Sequence, residues 1–369
     1  MSISPLSPLN GMDLSAGLSA GDNFKVAWQS PSNIALVKYW GKKDGQLPAS
    51  PSLSMTLEKA ITQTRVDVIF GEAEKGLVSL NGSIDHPFLP KMQHLLDWMT
   101  RQIPCLSKVT LRATTENSFP HSTGIASSAS GISAFALCLI SIAGKIHGLE
   151  GDPADMMRMA SFAARMGSGS ACRSLYPGFS TWGATPLFTG SSDVYATPIA
   201  EFVHPEMLLL RDAILVVSAS PKSLPSTRGH QSMNGHPFFS GRIMQANRNM
   251  EETFAALSAN DFEKLGMVAE NEALALHALI MSASPGTMLL KPASVEVIHR
   301  VRDARSSGLS LFFTLDAGAN VHVMYQAGLA VAVEKFIGEA LQPLCENGRV
   351  IFDSCGTGPR KLNEATAGS

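Results

Sequence analysis

Ser118-Phe-Pro-His-Ser-Thr-Gly-Ile-Ala-Ser-Ser-Ala-Ser-Gly131 is a run of small residues that leads directly into the apolar segment Ile132 to Ala143. Gly124 and Gly131 let backbone approach a ligand closely, while Ala126, Ser127, Ser128, Ala129 and Ser130 keep a first helical turn free of bulk. No Asp or Glu occurs between Asn117 and Gly144, so nothing there repels an anion at the positive end of the helix. The stretch reads as an anion cradle. A helix start chosen for close packing would have the same composition, so the rest of the chain has to decide. No Gly-Lys-Ser/Thr follows the glycines, and their spacing does not fit the dinucleotide fingerprint.

A chain of 369 residues with 45% hydrophobic content exceeds what one core usually holds, which predicts two domains sharing a cleft. A net charge of -2, with 16% charged residues, supplies neither a basic field for nucleic acid nor a polybasic strip for a membrane. A small-molecule partner is favoured. Cys105, Cys138, Cys172, Cys345 and Cys355 are odd in number and scattered, which points to a reducing compartment, the cytoplasm, and away from structural zinc. Residues 1–23 have no basic residue and no sustained apolar run, and are expected to be a loosely ordered leader and not a signal peptide. The apolar run Ile132 to Ala143 is too short to span a bilayer and is expected to be a buried helix.

Outward from the cradle, strand patterns are predicted at Phe24 to Gln29, Ser52 to Glu58, Thr62 to Gly71, Leu77 to Leu80 and Lys108 to Thr115. Pro31 and Ser32 are expected to break the first of them. Helical spacing marks Lys91 to Ile103 and Pro153 to Met166. A boundary is placed near residue 205, giving domains of 24–205 and 206–369. Beyond it come a strand at Leu210 to Ser218, a polar loop to Arg228, helices at His236 to Ala259, Asp261 to Ser282 and Ser294 to Ser306, strands at Leu311 to Leu315 and Val321 to Tyr325, a helix at Ala330 to Leu341 and a last strand at Arg349 to Phe352. The class is α+β, with an antiparallel sheet in the first domain.

Three further segments carry chemistry. Asn33-Ile-Ala-Leu-Val-Lys-Tyr-Trp-Gly-Lys-Lys43 delivers Lys38, Lys42 and Lys43 beside Tyr39 and Trp40, which suits an anionic ligand or, more simply, a solvated basic turn. In Gly167-Ser-Gly-Ser-Ala-Cys-Arg-Ser-Leu-Tyr-Pro-Gly-Phe179, small residues surround Arg173, whose planar fork matches a carboxylate or phosphate, or ties down the loop. Asp316 leaves an apolar strand next to Gly318, where a general base could sit or where an ordinary turn Asp would bond to its own backbone.

Taken together, Asn33 to Lys42, Phe119 to Gly131, Gly167 to Phe179 and Phe313-Thr-Leu-Asp-Ala-Gly-Ala-Asn320 resemble, in order, four blocks of the mevalonate diphosphate decarboxylases, a branch of the family of galactose, homoserine, mevalonate and phosphomevalonate kinases. The resemblance implies the two-domain fold of that small-molecule kinase superfamily with the active site in the cleft, and a homodimer. It implies ATP-dependent decarboxylation of mevalonate 5-diphosphate, with magnesium carried by the ATP phosphates near Ser128. By position in the motifs, Asp316 matches the catalytic Asp, Lys38 its paired lysine, and Arg173 the arginine that holds the substrate carboxylate. Tyr39, Lys42, Ser168 and Ser170 match the diphosphate contacts, and Ser128 the serine near the transferred phosphate. Asn33, Ser122, Thr123, Gly124, Ala126, Ser127 and Ser128 match the ATP-binding positions. The loop departs from the family pattern at Pro120-His-Ser-Thr123, where His121 adds a titratable group. That departure leaves open a mevalonate-type kinase or a decarboxylase of the monophosphate, and a silent nucleotide-binding regulator is the reading from another class.

Overall fold

Two long antiparallel strands frame the first half of the chain: β1 (Asn23–Val37) and, after the small hairpin β2 (Lys42–Lys43) and β3 (Leu47–Pro48), β4 (Ser52–Phe70). Then follow β5 (Gly76–Leu80), α1 (Leu89–Gln102), β6 (Val109–Asn117), α2 (Ser127–His147), α3 (Pro153–Gly167), β7 (Phe179–Trp182) and β8 (Thr197–Pro198). This computed structural model describes residues 4–9, 21–71, 76–119, 127–148, 152–220 and 224–363. In the second half of β4, Thr62, Thr64, Val66, Val68 and Phe70 are buried, while the residues between them are partly or fully exposed. That alternation turns one face of the sheet toward α2. β6 pairs with this half of β4 and β7 with the other, antiparallel in both cases. β5 runs parallel to β6, an exception to the antiparallel expectation, because α1 forms the crossover between them.

α2 is longer than the sequence pattern indicated, and its apolar length is buried in the first core with the stripes Met92, Leu95, Leu96 and Met99 of α1 and Met159, Ala160, Ala163 and Ala164 of α3. Three of its serines are satisfied by the sheet: Ser133 meets Ser30 at 2.6 Å, Ser130 meets Thr62 at 2.6 Å, and Ser141 accepts from the Trp28 indole at 2.9 Å. Small paired hydroxyls let helix and sheet approach without leaving polar atoms stranded. Within the stretch expected to be a loose leader, Leu6 and Leu9 are buried in this same core, because two leucines of a short 3₁₀ turn find apolar surface beside α2. Residues 10–20 lie outside the described residues.

The expected breaks in β1 and β4 are a register shift inside continuous strands. Pro31 pairs with Ile61 and Asn33 with Thr56, so Leu57 to Ala60 lose their ladder on β1. Pro31 has no N–H to give, which suits the shift. The freed N–H groups are taken up from the second half of the chain: Asp353 accepts from Glu58 and Lys59 through Oδ1 at 2.9 and 2.8 Å, and from Ala60 through Oδ2 at 2.7 Å.

That half contains β9 (Arg211–Leu215), α4 (Ser226–Gln231), α5 (Phe239–Ala259), α6 (Phe262–Ser282), α7 (Pro292–Ser306), β10 (Leu311–Thr314), β11 (Val321–Tyr325), α8 (Ala330–Phe336), β12 (Val350–Ser354) and β13 (Arg360–Lys361). Asp261 caps α6 as the sequence indicates, accepting from the Lys264 N–H at 2.9 Å. Where a polar loop was expected to reach Arg228, α4 begins at Ser226. The four-stranded sheet has the order β10-β11-β9-β12. One face, with Ala213, Leu215, Phe313, Val321 and Val323, packs on Val297, Ile298 and Val301 of α7 and on Val333 beyond them. The opposite face, with Ile214, Phe312 and Met324, packs against α5 and α6 and against Ile34, Leu36, Leu53 and Met55 of the first sheet. This shared apolar layer joins the two halves directly behind the end of β1. A last strand, unexpected from sequence, returns to the first sheet: Lys361 and Arg360 of β13 pair with Trp28 and Gln29 of β1.

Candidate active site

β1 ends at Val37, and the next residue places its side chain toward the second half of the chain. Lys38 is 1% exposed, and its ammonium donates to Asp316 Oδ1 at 3.0 Å and to the Ala35 carbonyl at 2.5 Å. Asp316 follows the end of β10, where strand becomes loop, so its side chain leaves the sheet at the cleft with 31% of its surface open. Partial burial alone would raise its carboxyl, but the Lys38 cation, with help from His322 and Arg173, outweighs that and holds it below the usual carboxylate range. Lys38 itself is pushed below the ordinary lysine value, chiefly by burial and against the pull of Asp316.

The backbone of Lys38 is clamped from behind. Its N–H donates to Glu272 Oε2 at 2.7 Å, and its carbonyl accepts from Arg242 Nη2 at 3.2 Å. Glu272 in turn receives both ends of the Arg242 fork, at 2.6 and 2.5 Å, and the Asn249 amide at 2.6 Å. Lys38, Glu272, Arg242 and Asn249 are all buried, so removing one of them strands the polar groups it pairs with. On the other side, His277 donates from Nε2 to the Asp316 carbonyl at 3.1 Å. Burial pushes its imidazole down to about 4, which keeps it neutral, and because a carbonyl only accepts, the single ring proton sits on Nε2. Sequence reading missed Glu272, Arg242, Asn249 and His277. The available signal was an acid in the buried stripe of α6, beside Ala269 and Ala273.

Arg173 lies on the 3₁₀ segment Gly169–Leu175, where the sequence pattern indicates only a loop. Only 3% exposed, it donates from Nη1 to Ser52 Oγ at 2.5 Å and from Nε and Nη2 to Asn33 Oδ1 at 3.4 Å each. Asn33 is oriented by its own donations to the Ser170 carbonyl at 3.2 Å and to Ser174 Oγ at 2.8 Å. Its side chain is therefore engaged in fixing Arg173. Arg173 is also close enough to lower Asp316 electrostatically, which brings Lys38, Asp316 and Arg173 into one cluster.

Tyr39 packs its ring on Trp182 and His230, with centroids 4.5 and 4.4 Å away. Its buried hydroxyl has no partner among the described residues. Burial drives the phenol upward, so it stays protonated as a donor in want of an acceptor. Gly169 makes that position possible, since a Cβ there would lie 2.8 Å from the Tyr39 hydroxyl and 2.9 Å from the Trp182 ring. Lys42 donates to Gln46 Oε1 at 2.6 Å, and burial, followed by nearby Lys91, depresses it. Lys91, which the sequence marks only as the start of a helix, donates to Ser128 Oγ at 3.2 Å, and Ser128 reaches Ser168 Oγ at 3.4 Å. Lys91 thus meets the start of α2, whose first turn has no acid. This donor set fits nucleotide and diphosphate phosphates. Among the described residues no three His, Cys, Asp or Glu side chains converge as a metal site. Ser122, Thr123, Gly124 and Ala126, together with His121, lie outside the described residues, as does the side chain of Ser127.

A family model described as the diphosphomevalonate decarboxylase-like N-terminal domain matches residues 30–195, and the mevalonate 5-diphosphate decarboxylase C-terminal domain matches residues 213–363. A diphosphomevalonate decarboxylase of Candida albicans is 32% identical over 93% of this chain and 99% of its own length. The chain belongs to the diphosphomevalonate decarboxylase family. Among other diphosphomevalonate decarboxylases, the Homo sapiens protein is 30% identical over 80% of this chain and 75% of its own length. The solved mevalonate diphosphate decarboxylase of Staphylococcus aureus superposes with a TM-score of 0.77 at 27% identity, covering 93% of this chain and 99% of that one. A solved relative in complex with MVAPP, AMPPCP and magnesium superposes with a TM-score of 0.76 at 27% identity, covering 92% and 99%. The α+β, two-domain architecture is that of the diphosphomevalonate decarboxylases.

Proposed function

We propose that this chain catalyses the ATP-dependent decarboxylation of mevalonate 5-diphosphate to isopentenyl diphosphate, releasing carbon dioxide, ADP and phosphate. The observation that carries the reading is the Lys38–Asp316 ion pair at 3.0 Å, open to the cleft on its Asp316 side and built from both halves of the chain beside Arg173. An ionised Asp316 accepts or polarises the proton of a tertiary alcohol as that oxygen attacks the γ-phosphate. Lys38 keeps Asp316 ionised and in place. Arg173, pre-set by Asn33 and Ser52, receives the substrate carboxylate through its fork, and loss of phosphate from C3 then draws the electron pair of the breaking C–C bond into the new double bond. Tyr39, Lys42, Ser168 and Ser170 are assigned to the diphosphate and Ser128 to the transferred phosphate; magnesium, when bound, neutralises charge on the ATP phosphates.

We further infer a division near residue 205, in keeping with family matches that stop at 195 and resume at 213. The cytoplasm is proposed on the five unpaired cysteines, and a homodimer as the assembly. Sedimentation of the purified protein tests the dimer. The activity is tested by quantifying carbon dioxide and ADP with mevalonate 5-diphosphate, ATP and magnesium, and again with the monophosphate. Equal amounts of both products from the diphosphate are expected. ADP without carbon dioxide would make the chain a kinase, neither product a silent binder, and faster use of the monophosphate would move it to the other decarboxylases.

A further inference from the structure

The segment from Lys38 to Lys42 lies outside any long strand or helix, yet it carries the ion pair and two proposed diphosphate contacts. What holds its middle is a residue of the other half. His230, on α4 and 7% exposed, stacks on Tyr39 at 4.4 Å and on Trp40 at 4.8 Å, with its ring inclined by 41° and 35° to theirs. Its Nδ1 accepts the Gly41 N–H at 3.1 Å, in a buried contact. Gly41 has φ +89°, the left-handed turn that carries the chain from Trp40 to Lys42. A buried N–H at such a turn needs an acceptor, and His230 supplies it. The preceding Gly229 has no side chain because the Trp40 ring occupies the place of a Cβ, so α4 rests directly on the same aromatic pair.

We propose that His230 is a positioning residue for the diphosphate-binding segment, setting the Tyr39 hydroxyl and the Lys42 ammonium through the turn at Gly41. The proposal rests on the assignment of Tyr39 and Lys42 to the diphosphate. Lys38 is anchored separately by Glu272 and Arg242, so disturbing the turn weakens diphosphate capture and leaves the ion pair in place.

Three variants separate the parts of this contact. His230→Phe keeps the stacking and removes the acceptor, His230→Ala removes both, and His230→Asn places Oδ1 where Nδ1 accepts. For the Phe and Ala variants, KM for mevalonate 5-diphosphate should rise roughly tenfold, the loss of one neutral hydrogen bond, with kcat within about twofold. His230→Asn should recover most of that rise, and KM for ATP should stay unchanged in all three. Titration of inorganic pyrophosphate, followed by intrinsic tryptophan fluorescence, reads the same weakening without turnover. It therefore tests the clamp even if wild type proves not to decarboxylate. Circular dichroism checks that each variant is folded. The proposal is overturned if folded His230→Asn binds no better than His230→Phe, if kcat falls while KM holds, or if all variants match wild type.

Discussion

Glu272→Gln is the most informative single change outside the cleft. Glu272 is fully buried, and its two oxygens accept four donors: both Arg242 terminal nitrogens, the Asn249 amide and the Lys38 N–H. Glutamine keeps the shape but offers one oxygen and an NH₂, so two of those donors face another donor. Arg242, 4% exposed, is left without its counter-charge. Removing one member of a buried ion pair costs about 3–5 kcal/mol. At about 2 °C per kcal/mol for a chain of this size, Tm should fall by roughly 6–10 °C. The effect should also reach the chemistry, because the negative charge of Glu272 raises Lys38 and its loss lets burial push that lysine further down. A reaction that needs Lys38 protonated should then lose activity at a lower pH than wild type, so the alkaline limb of the kcat profile moves down. Thermal unfolding by circular dichroism and a pH series of kcat measure both. A Tm within about 1 °C of wild type together with an unmoved alkaline limb would refute the clamp.

Asp316→Asn should lower kcat at least ~10²-fold with substrate affinity retained, since the carboxylate acts on a proton during reaction and not on binding; near-normal turnover excludes the role. Gly169→Ala should raise KM for the diphosphate substrate, because its Cβ would lie 2.8 Å from the Tyr39 hydroxyl and 2.9 Å from Trp182 and so force Tyr39 aside; unchanged kinetics would place Tyr39 outside the site. His277 has a folded value of about 4 against an ordinary 6.5, so below pH 6.5 the unfolded chain binds a proton that the folded chain refuses, and stability should fall by up to about 3 kcal/mol between pH 6.5 and 4. His277→Gln, which keeps a donor toward the Asp316 carbonyl, should flatten that part of the stability profile in denaturant titrations; an identical slope in the variant would rule His277 out as its source.

Helices α5, α6 and α7 are legible in the sequence to within a few residues because their buried apolar residues recur at helical spacing and their ends carry local signals such as Asp261. β1 and β4 are not, because what makes them continuous is distant: the shift at Pro31 is stable only with Asp353 serving the N–H groups of Glu58, Lys59 and Ala60. The same division runs through the site. Lys38, Tyr39, Arg173 and Asp316 stand in motifs that announce themselves, although Lys38 and Asp316 are 278 positions apart. Glu272, Arg242, His277, His230 and Lys91 stand in ordinary helical surroundings. A polar side chain on a helix reads as solvated until the surface it faces is known, and no local pattern reports that one of these faces Lys38 and another Gly41.

The return of the chain to its first sheet orders events during synthesis. The acceptor for the N–H groups of residues 58–60 is residue 353, and the partner of Trp28 and Gln29 is β13, at residues 360–361. While a ribosome is still making α7 and β10, the first sheet has its helices but keeps an open edge and unserved donors in β4. Such an edge invites pairing with other chains. Release of the last few dozen residues closes it, and a chain halted at residue 340 would keep every proposed catalytic residue and still present that unfinished edge to its neighbours.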